Sequence, residues 1–302
     1  MVTGGAGFIG SHLTQHLDQL GCDVRVLDDF SSGFASNLDG IDATCIEGSI
    51  LDQDLLLRSM RGCSIVFHEA AMISVPQSFI DPQRCFEMNS VGTTNVLNAG
   101  IEVGCSRIVY ASSAACYGST PTLPSTETDS LSPESPYAKS KVEGEQVLEL
   151  HAQSGQIDGV SLRYFNVFGT RQDPKTQYAA VVSAFADAIH HDKVPVMYGD
   201  GSQTRDFTPV ANIVHANLLA ASHPQPLKGA VFNVGTGAAT SLLDLLRMMT
   251  GASNPVIDFQ PPREGDVQHS CANISSVMQV LGYKPIVSTV EGIDLLINPK
   301  RE

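Results

Sequence analysis

The sequence predicts an α/β protein with a doubly wound parallel sheet and a smaller C-terminal domain, and three observations lead to that fold class. Short apolar runs recur at Val24-Arg-Val-Leu27, Thr44-Cys-Ile46, Ile65-Val-Phe67 and Arg107-Ile-Val-Tyr110. The stretches between them are long enough for crossover helices. A glycine-rich turn, Thr3-Gly-Gly-Ala-Gly-Phe-Ile-Gly10, opens the chain. Strands alternating with helix-length segments bury a parallel sheet under helices on both faces.

Only Met1 and Val2 precede the turn, so the strand feeding it is expected to be short, as a late start or a trimmed N-terminus would leave it. From Ser11 to Leu20, Leu13, Leu17 and Leu20 recur at helical spacing and Gly21 is placed to end the helix. Val24 to Leu27 alternates as a strand and ends in Asp28-Asp29. Beyond about residue 165 the rhythm loosens into longer connections rich in glycine and proline, where binding segments commonly lie. There, Val210 to Ala221 reads as a helix, Ala230 to Val234 as a strand, and Ser241 to Met249 as an amphipathic helix. No internal repeat or low-complexity tract interrupts the chain.

With 302 residues, 42% of them hydrophobic, the chain can bury a large core. Its 18 basic and 32 acidic residues give a net charge of -14, which repels nucleic acid and anionic membranes, and no basic patch interrupts it. No apolar run approaches the roughly 20 residues of a membrane span, and the N-terminus lacks a basic segment followed by an apolar one. Seven scattered cysteines, none in a Cys-x-x-Cys pair, suit buried thiols in a reducing cytoplasm and argue against a metal site.

Gly4, Gly7 and Gly10 form a Gly-x-x-Gly-x-x-Gly spacing, with Gly5 overlapping it. Glycine lets a backbone approach a pyrophosphate closely, and the next helix offers its unpaired N–H groups to the phosphates. Alone, the pattern also fits an ordinary turn. Asp28 adds context at the end of the second strand, where a carboxylate accepts adenosine ribose hydroxyls and repels a 2′-phosphate; NAD is favoured over NADP. A solvated strand end is the plainer reading of Asp28. Residues 1–165 are then expected to bind the dinucleotide and 166–302 to form a smaller substrate domain, with 206–234 returning to the first sheet.

Tyr137-Ala-Lys-Ser-Lys141 sets a tyrosine and a lysine four residues apart on one helix face. Ser135 suits the N-cap and Pro136 the first helical position. An ammonium and a positive nicotinamide ring beside a phenol favour the phenolate and draw its pKa down from about 10, so Tyr137 can serve as a base. The spacing alone more often marks an exposed helix face. Tyr110-Ala-Ser-Ser-Ala-Ala-Cys-Tyr-Gly118 lies at a strand end, where parallel sheets meet their ligands, and places Ser113 near the same reacting oxygen. A serine-rich strand exit with caps and turns is the alternative.

Together these residues resemble the extended short-chain dehydrogenase/reductase family. Gly4 to Gly10, Asp28, Ala70-Ala71, Asn89-Ser-Val-Gly-Thr93, Ser112-Ser113, Tyr137 with Lys141, and Arg163-Tyr-Phe-Asn-Val-Phe-Gly169 follow the family's order. The resemblance implies a Rossmann-type NAD domain and a C-terminal nucleotide-sugar domain, with NAD contacts from Gly4, Gly7, Phe8, Ile9, Gly10, Asp28, Ser49, Ile50, Ala70, Asn89, Ser112, Tyr137, Lys141 and Tyr164. It implies Ser113, Tyr137 and Lys141 as the catalytic set, and a homodimer built on helices over 86–104 and 137–151.

Ala114 and Ala115 stand where the family's dehydratases carry an Asp-Glu pair and its UDP-glucuronate decarboxylases a glutamate. The chain therefore looks like a UDP-hexose 4-epimerase, with a dehydratase, a decarboxylase and a non-enzymatic NAD-binding redox sensor as the competing readings. Asn166, Arg205, Arg263 and Asp266 fall where the family holds the UDP diphosphate and ribose, although Arg205 and Arg263 taken alone read as surface charges. Ser270 falls where a small residue admits an N-acetyl group on the sugar. With Gln172-Asp173-Pro174 it resembles the UDP-N-acetylglucosamine 4-epimerase branch. Two positions depart from the family: Ser49 replaces the aspartate that contacts adenine, and Glu69 replaces an apolar residue or glutamine. A buried carboxylate there costs several kcal/mol unless paired or protonated.

Overall fold

A computed structural model describes residues 1–119, 121–174, 181–262 and 267–298. The first half alternates β1 (Val2–Thr3), α1 (Phe8–Gln19), β2 (Val24–Asp28), β3 (Ala43–Glu47), α2 (Gln53–Met60), β4 (Ile65–His68), α3 (Val75–Ile80), α4 (Pro82–Phe86), α5 (Gly92–Val103), β5 (Arg107–Ser113), α6 (Pro136–Gln153) and β6 (Asp158–Tyr164). The second half adds β7 (Val167–Phe168), α7 (Val181–His190), β8 (Val196–Tyr198), β9 (Thr204–Arg205), β10 (Thr208–Pro209), α8 (Val210–Ser222), β11 (Ala230–Val234), β12 (Thr240–Ser241), α9 (Leu242–Thr250), β13 (Asp258–Gln260), α10 (Ser275–Leu281) and α11 (Thr289–Ile297). Seven strands form one parallel sheet in the order β11-β6-β5-β4-β1-β2-β3. The other strands pair in three two-stranded ribbons.

Successive strand residues point to opposite faces, and each face has its own core. Val2, Val24, Phe67, Val109 and Leu162 lie with Leu13 and Leu17 of α1, Ile213 and Val214 of α8, and Val277 of α10. Leu27, Val66, Ile108 and Tyr110 lie instead with Leu56 and Met60 of α2, Val96 and Leu97 of α5, and Leu148 of α6. A third core joins Phe168 and Phe185 to Leu245, Leu246 and Ile293 beneath the second half.

The short first strand is fully buried at the sheet centre. Val2 pairs with Val26 on one side and Phe67 on the other, and the Met1 amine and carbonyl continue the ladder to Ile65 and Phe67. Two residues therefore support the turn that follows. The helix expected over 86–104 follows one path but is not uniform: a π-helical turn over Glu87–Val91 separates α4 from α5. Asn89 within it donates to Met72 O and Ser140 Oγ, so the wider turn carries a cross-link between the β4 exit and α6.

Two buried ion pairs tie the second half to the sheet. At its base, Arg107 bonds Asp158 (2.6 Å) and donates to the carbonyls of Ala220, Ala221, His223 and Gln225, gathering the end of α8. Asp158 also accepts from Leu227 and Lys228 N–H just before β11. At its top, Arg163 forks onto both oxygens of Glu145 at 2.8 and 2.7 Å. Ser112 donates to the same carboxylate, and Arg163 reaches Tyr117 Oη, which donates to Asn233 of β11. Removing one partner of such a pair leaves an uncompensated charge. Arg163→Met is accordingly expected to lose about 3–5 kcal/mol in urea unfolding, and a loss below about 1 kcal/mol would show that the pair does not hold the sheet to α6.

Candidate active site

The glycine turn is packed to the limit of backbone contact. Gly4 adopts φ +68°, and a Cβ on it would lie 2.7 Å from Ala70 N. One on Gly10 would lie 2.1 Å from Gly4 O. No side chain caps α1 at Gly7, so the first amides of the helix, at Phe8 and Ile9, face outward beside the turn. Asp28 is buried, and its two carboxylate oxygens accept from Ala6 N and Phe30 N, each at 2.8 Å. Burial raises its pKa, and the backbone donors oppose that rise. Asp28 thus fastens the turn, a role its spacing does not reveal, and its carboxylate can accept a further hydrogen bond from a ligand hydroxyl. An uncapped helix start, glycines that exclude Cβ and a carboxylate at the β2 end together fit a dinucleotide.

The remaining expected cofactor residues divide into two groups. Ser49 and Ile50 follow β3; Ser49 Oγ accepts from Leu51 N, and buried Ile50 packs against Gly92. Ala70 lies against Gly4. Asn89 and Ser112, by contrast, are buried and hydrogen-bonded within the protein, Asn89 accepting from Met72 N at 2.7 Å and Ser112 donating to Glu145. Their side chains hold the scaffold around the site. Tyr164, at the β6 end, donates to Glu69 at 2.9 Å and accepts from Asn217 of α8 at 2.8 Å.

Ser135 caps α6 by accepting from Ala138 N (3.0 Å), with Pro136 in the first turn, so Tyr137 and Lys141 are carried at the helix start. Lys141 is 3% exposed. Its ammonium donates to Ala111 O at 2.8 Å and lies 5.1 Å from the Tyr110 ring centre and 5.8 Å from that of Tyr137. Ser113 Oγ accepts from Ala115 N (3.2 Å) and hydrogen-bonds Tyr137. Burial pushes Tyr137 up to about 12, with the Ser113 bond opposing it, and takes Lys141 down to about 8. The descent expected from the Tyr-Lys pairing is therefore not supplied by the protein alone: desolvation of the phenolate outweighs the cation.

Ser113, Tyr137, Asn166, Arg205 and Ser270 line one cleft of about 390 Å³, walled by Phe8, Ile9 and Val75. Asn166 takes a positive φ of 23° at the end of β6, a conformation that aims the site-facing chain. Arg205 donates to Thr204 O and Gln268 O, and Ser270 N bonds Thr204 O (3.0 Å), so β9 and the 267–270 segment form one wall. Asp206, beside Arg205, is fully buried and accepts from Thr236, Gly237 and Ala272. Sequence reasoning missed that hub, for which a lone Asp after Arg gives no signal. Arg263 and Asp266 lie outside the described residues. Ala114 and Ala115 also line the cleft and bring no acid or base to it.

Residues 1–235 match the family described as NAD dependent epimerase/dehydratase. The chain belongs to that family. A UDP-glucose 4-epimerase of Mycolicibacterium smegmatis is 38% identical, over 97% of this chain and 95% of its own. Among solved structures, the UDP-N-acetylglucosamine 4-epimerase from Methanobrevibacter ruminantium, in complex with UDP-N-acetylmuramic acid, superimposes with a TM-score of 0.92 at 35% identity, covering 98% of this chain and 96% of that one. The UDP-glucose 4-epimerase of Thermotoga maritima with UDP-glucose also gives 0.92, at 36% identity and 99% and 97% coverage.

Two expectations test this site. Tyr137→Phe should reduce turnover at least 100-fold, as loss of a general base does, with an unchanged circular dichroism spectrum; full activity would remove Tyr137 from the chemistry. In cofactor-free protein the folded chain releases the Lys141 proton near 8, whereas the unfolded chain holds it up to 10.5. Between these values the unfolded state binds more protons, so this lysine makes stability rise with pH. Melting curves of Lys141→Met should lack that contribution, and identical pH dependence in both proteins would contradict the lysine's burial as a cation.

Proposed function

We propose that this protein interconverts UDP-hexoses that differ in configuration at C4, by NAD-dependent oxidation to a 4-keto sugar and its reduction from the other face. The observation that carries this reading is the cleft lined by Ser113 and Tyr137, with the buried Lys141 ammonium 5.8 Å from the Tyr137 ring centre and Ala114 and Ala115 at the neighbouring lining positions. A dehydratase or decarboxylase needs a second acid or base to work on the keto intermediate. Methyl groups cannot provide it.

NAD supplies the hydride acceptor and donor, and its oxidised ring adds a positive charge that favours the Tyr137 phenolate. Tyr137 takes the O4 proton as the C4–H bond breaks and returns a proton to O4 once the sugar has turned. Ser113 hydrogen-bonds O4 and keeps it aligned with the phenol. Lys141 stays charged behind Tyr137 and limits the build-up of negative charge. Arg205 and Asn166, with Arg263 and Asp266, hold the diphosphate and ribose so that the hexose alone rotates; an arginine fork suits phosphate.

Ser270, a small residue on the cleft wall, supports UDP-GlcNAc and UDP-GalNAc as substrates alongside UDP-Glc and UDP-Gal. A homodimer is supported by exposed Phe86 and Val91 along the 82–103 helical run and by exposed Leu150 on α6, apolar groups that a partner would cover. The seven cysteines are all unpaired, which favours a cytoplasmic location.

Incubation with UDP-GlcNAc, UDP-Glc and UDP-GlcA, followed by chromatography, should yield C4 epimers of unchanged mass; no epimer from any of them would defeat the proposal. Ser270→Tyr should lower kcat/KM for the acetylated pair at least tenfold more than for the other, and equal retention would remove Ser270 as the gate. Light scattering should give twice the 32.1 kDa chain mass, reduced to one chain mass by Phe86→Asp with Leu150→Asp.

A further inference from the structure

Lys141 is a cation almost wholly enclosed by protein, and its hydrogen bond is to a neutral carbonyl, Ala111 O. A buried charge of this kind needs a counter-charge. Four groups able to carry negative charge act on it: Glu69 at the β4 exit, Cys85 on α4, Cys116 after β5, and Glu145 on α6. Burial holds both thiols protonated, Cys116 up to about 12. Glu145 is already matched by the Arg163 fork and Ser112. Of the other titratable neighbours, His68 is kept neutral between Thr3 and Thr93, and the Tyr110 phenol is kept protonated by burial. Glu69 remains.

Its position is fixed from two sides. Oε1 accepts from Tyr164 Oη, which is fixed in turn by Asn217 of α8, and the backbone of Glu69 is pinned to β1 through Thr3 O. The residue is half-buried, with its carboxyl packed among protein groups. Glu69 directly follows His68, which pairs with Tyr110 across β4 and β5, so it stands at the level of Ala111, the residue whose carbonyl takes the Lys141 ammonium; the two side chains form no direct ion pair, but the carboxylate favours the charged lysine.

We propose that Glu69 is the counter-charge of Lys141, a positioning residue that Tyr164 holds in place and that keeps the lysine a cation beside Tyr137. The hydrogen-bond partner of the Glu69 carboxylate is Tyr164, outside the Ser113–Tyr137 pair, and its part in the chemistry is to hold Lys141 charged. Its charge depends on pH, because burial brings its carboxyl up to about 7 while the Tyr164 hydroxyl and Lys141 draw it down. Below that point the lysine loses its partner. This role rests on Tyr137 and Lys141 being the working pair, but the lysine can be titrated without any sugar, so failure here and failure of epimerisation are seen separately.

The test follows the Lys141 side chain by NMR in the full-length protein labelled with [13C]lysine, its signal assigned by Lys141→Met. Glu69→Gln should lower the Lys141 midpoint by about one pH unit, a tenfold loss of proton affinity. Glu69→Asp should recover part of it. The alkaline limb of kcat/KM should move down by the same amount, with KM little changed. Tyr164→Phe removes the hydroxyl that stabilises the carboxylate and should shift the midpoint in the same direction by less; it decides the matter if Glu69→Gln does not fold. An unmoved Lys141 midpoint in the folded variants overturns the proposal.

Discussion

The Arg163–Glu145 pair sets the geometry on which the rest of the site depends. Two charges inside a protein cost several kcal/mol in lost hydration unless every lone pair and proton finds a partner. Here the guanidinium fork, Ser112 and Tyr117 provide those partners. The pair spans β6 and α6 and reaches β5 through Ser112, next to Ser113. It thereby fixes the helix bearing Tyr137 and Lys141 against the strand bearing Ser113. Asn233, bonded to Tyr117, brings β11 into the same network.

Within that frame, burial governs the chemistry more than spacing does. A charge in a medium of low dielectric interacts strongly with its neighbours but is itself costly to create. Tyr137 and Lys141 move in opposite directions for the same reason, each away from its ionised form. The protein alone therefore stores a neutral phenol and a weakly held ammonium. Groups that add charge to the cleft control when the phenol becomes a base, and cofactor and substrate both carry such charge.

Much of the fold was legible because its signals are local. The apolar strands at 24–27, 65–67 and 107–110 and the helix at 11–20 announce themselves by periodicity, and Ser135-Pro136 by capping chemistry. Tyr137 with Lys141 and the glycine turn were visible as motifs. What stayed hidden needs contacts between distant segments: the bonds of Asp28 to Ala6 and Phe30, the Asp206 hub, and the Asn89 bridge to Met72 and Ser140. The Tyr137–Lys141 spacing carries the lysine's attraction but not the cost of burying the phenolate, which only the folded environment of Tyr137 reveals.

The place of β11 bears on how the chain is made. This strand lies beside β6, yet 65 residues separate Tyr164 from Ala230. A nascent chain that has emerged only as far as β6 presents the buried residues Val160, Ser161 and Leu162 on an open edge, the kind of template on which strands of other chains pair. The sheet is completed only after Asn166 and Arg205, which line the cleft, have been made. Synthesis thus places the closing of the sheet after β7 to β10 and α8, and a chaperone or a pause in translation would find its target in that interval.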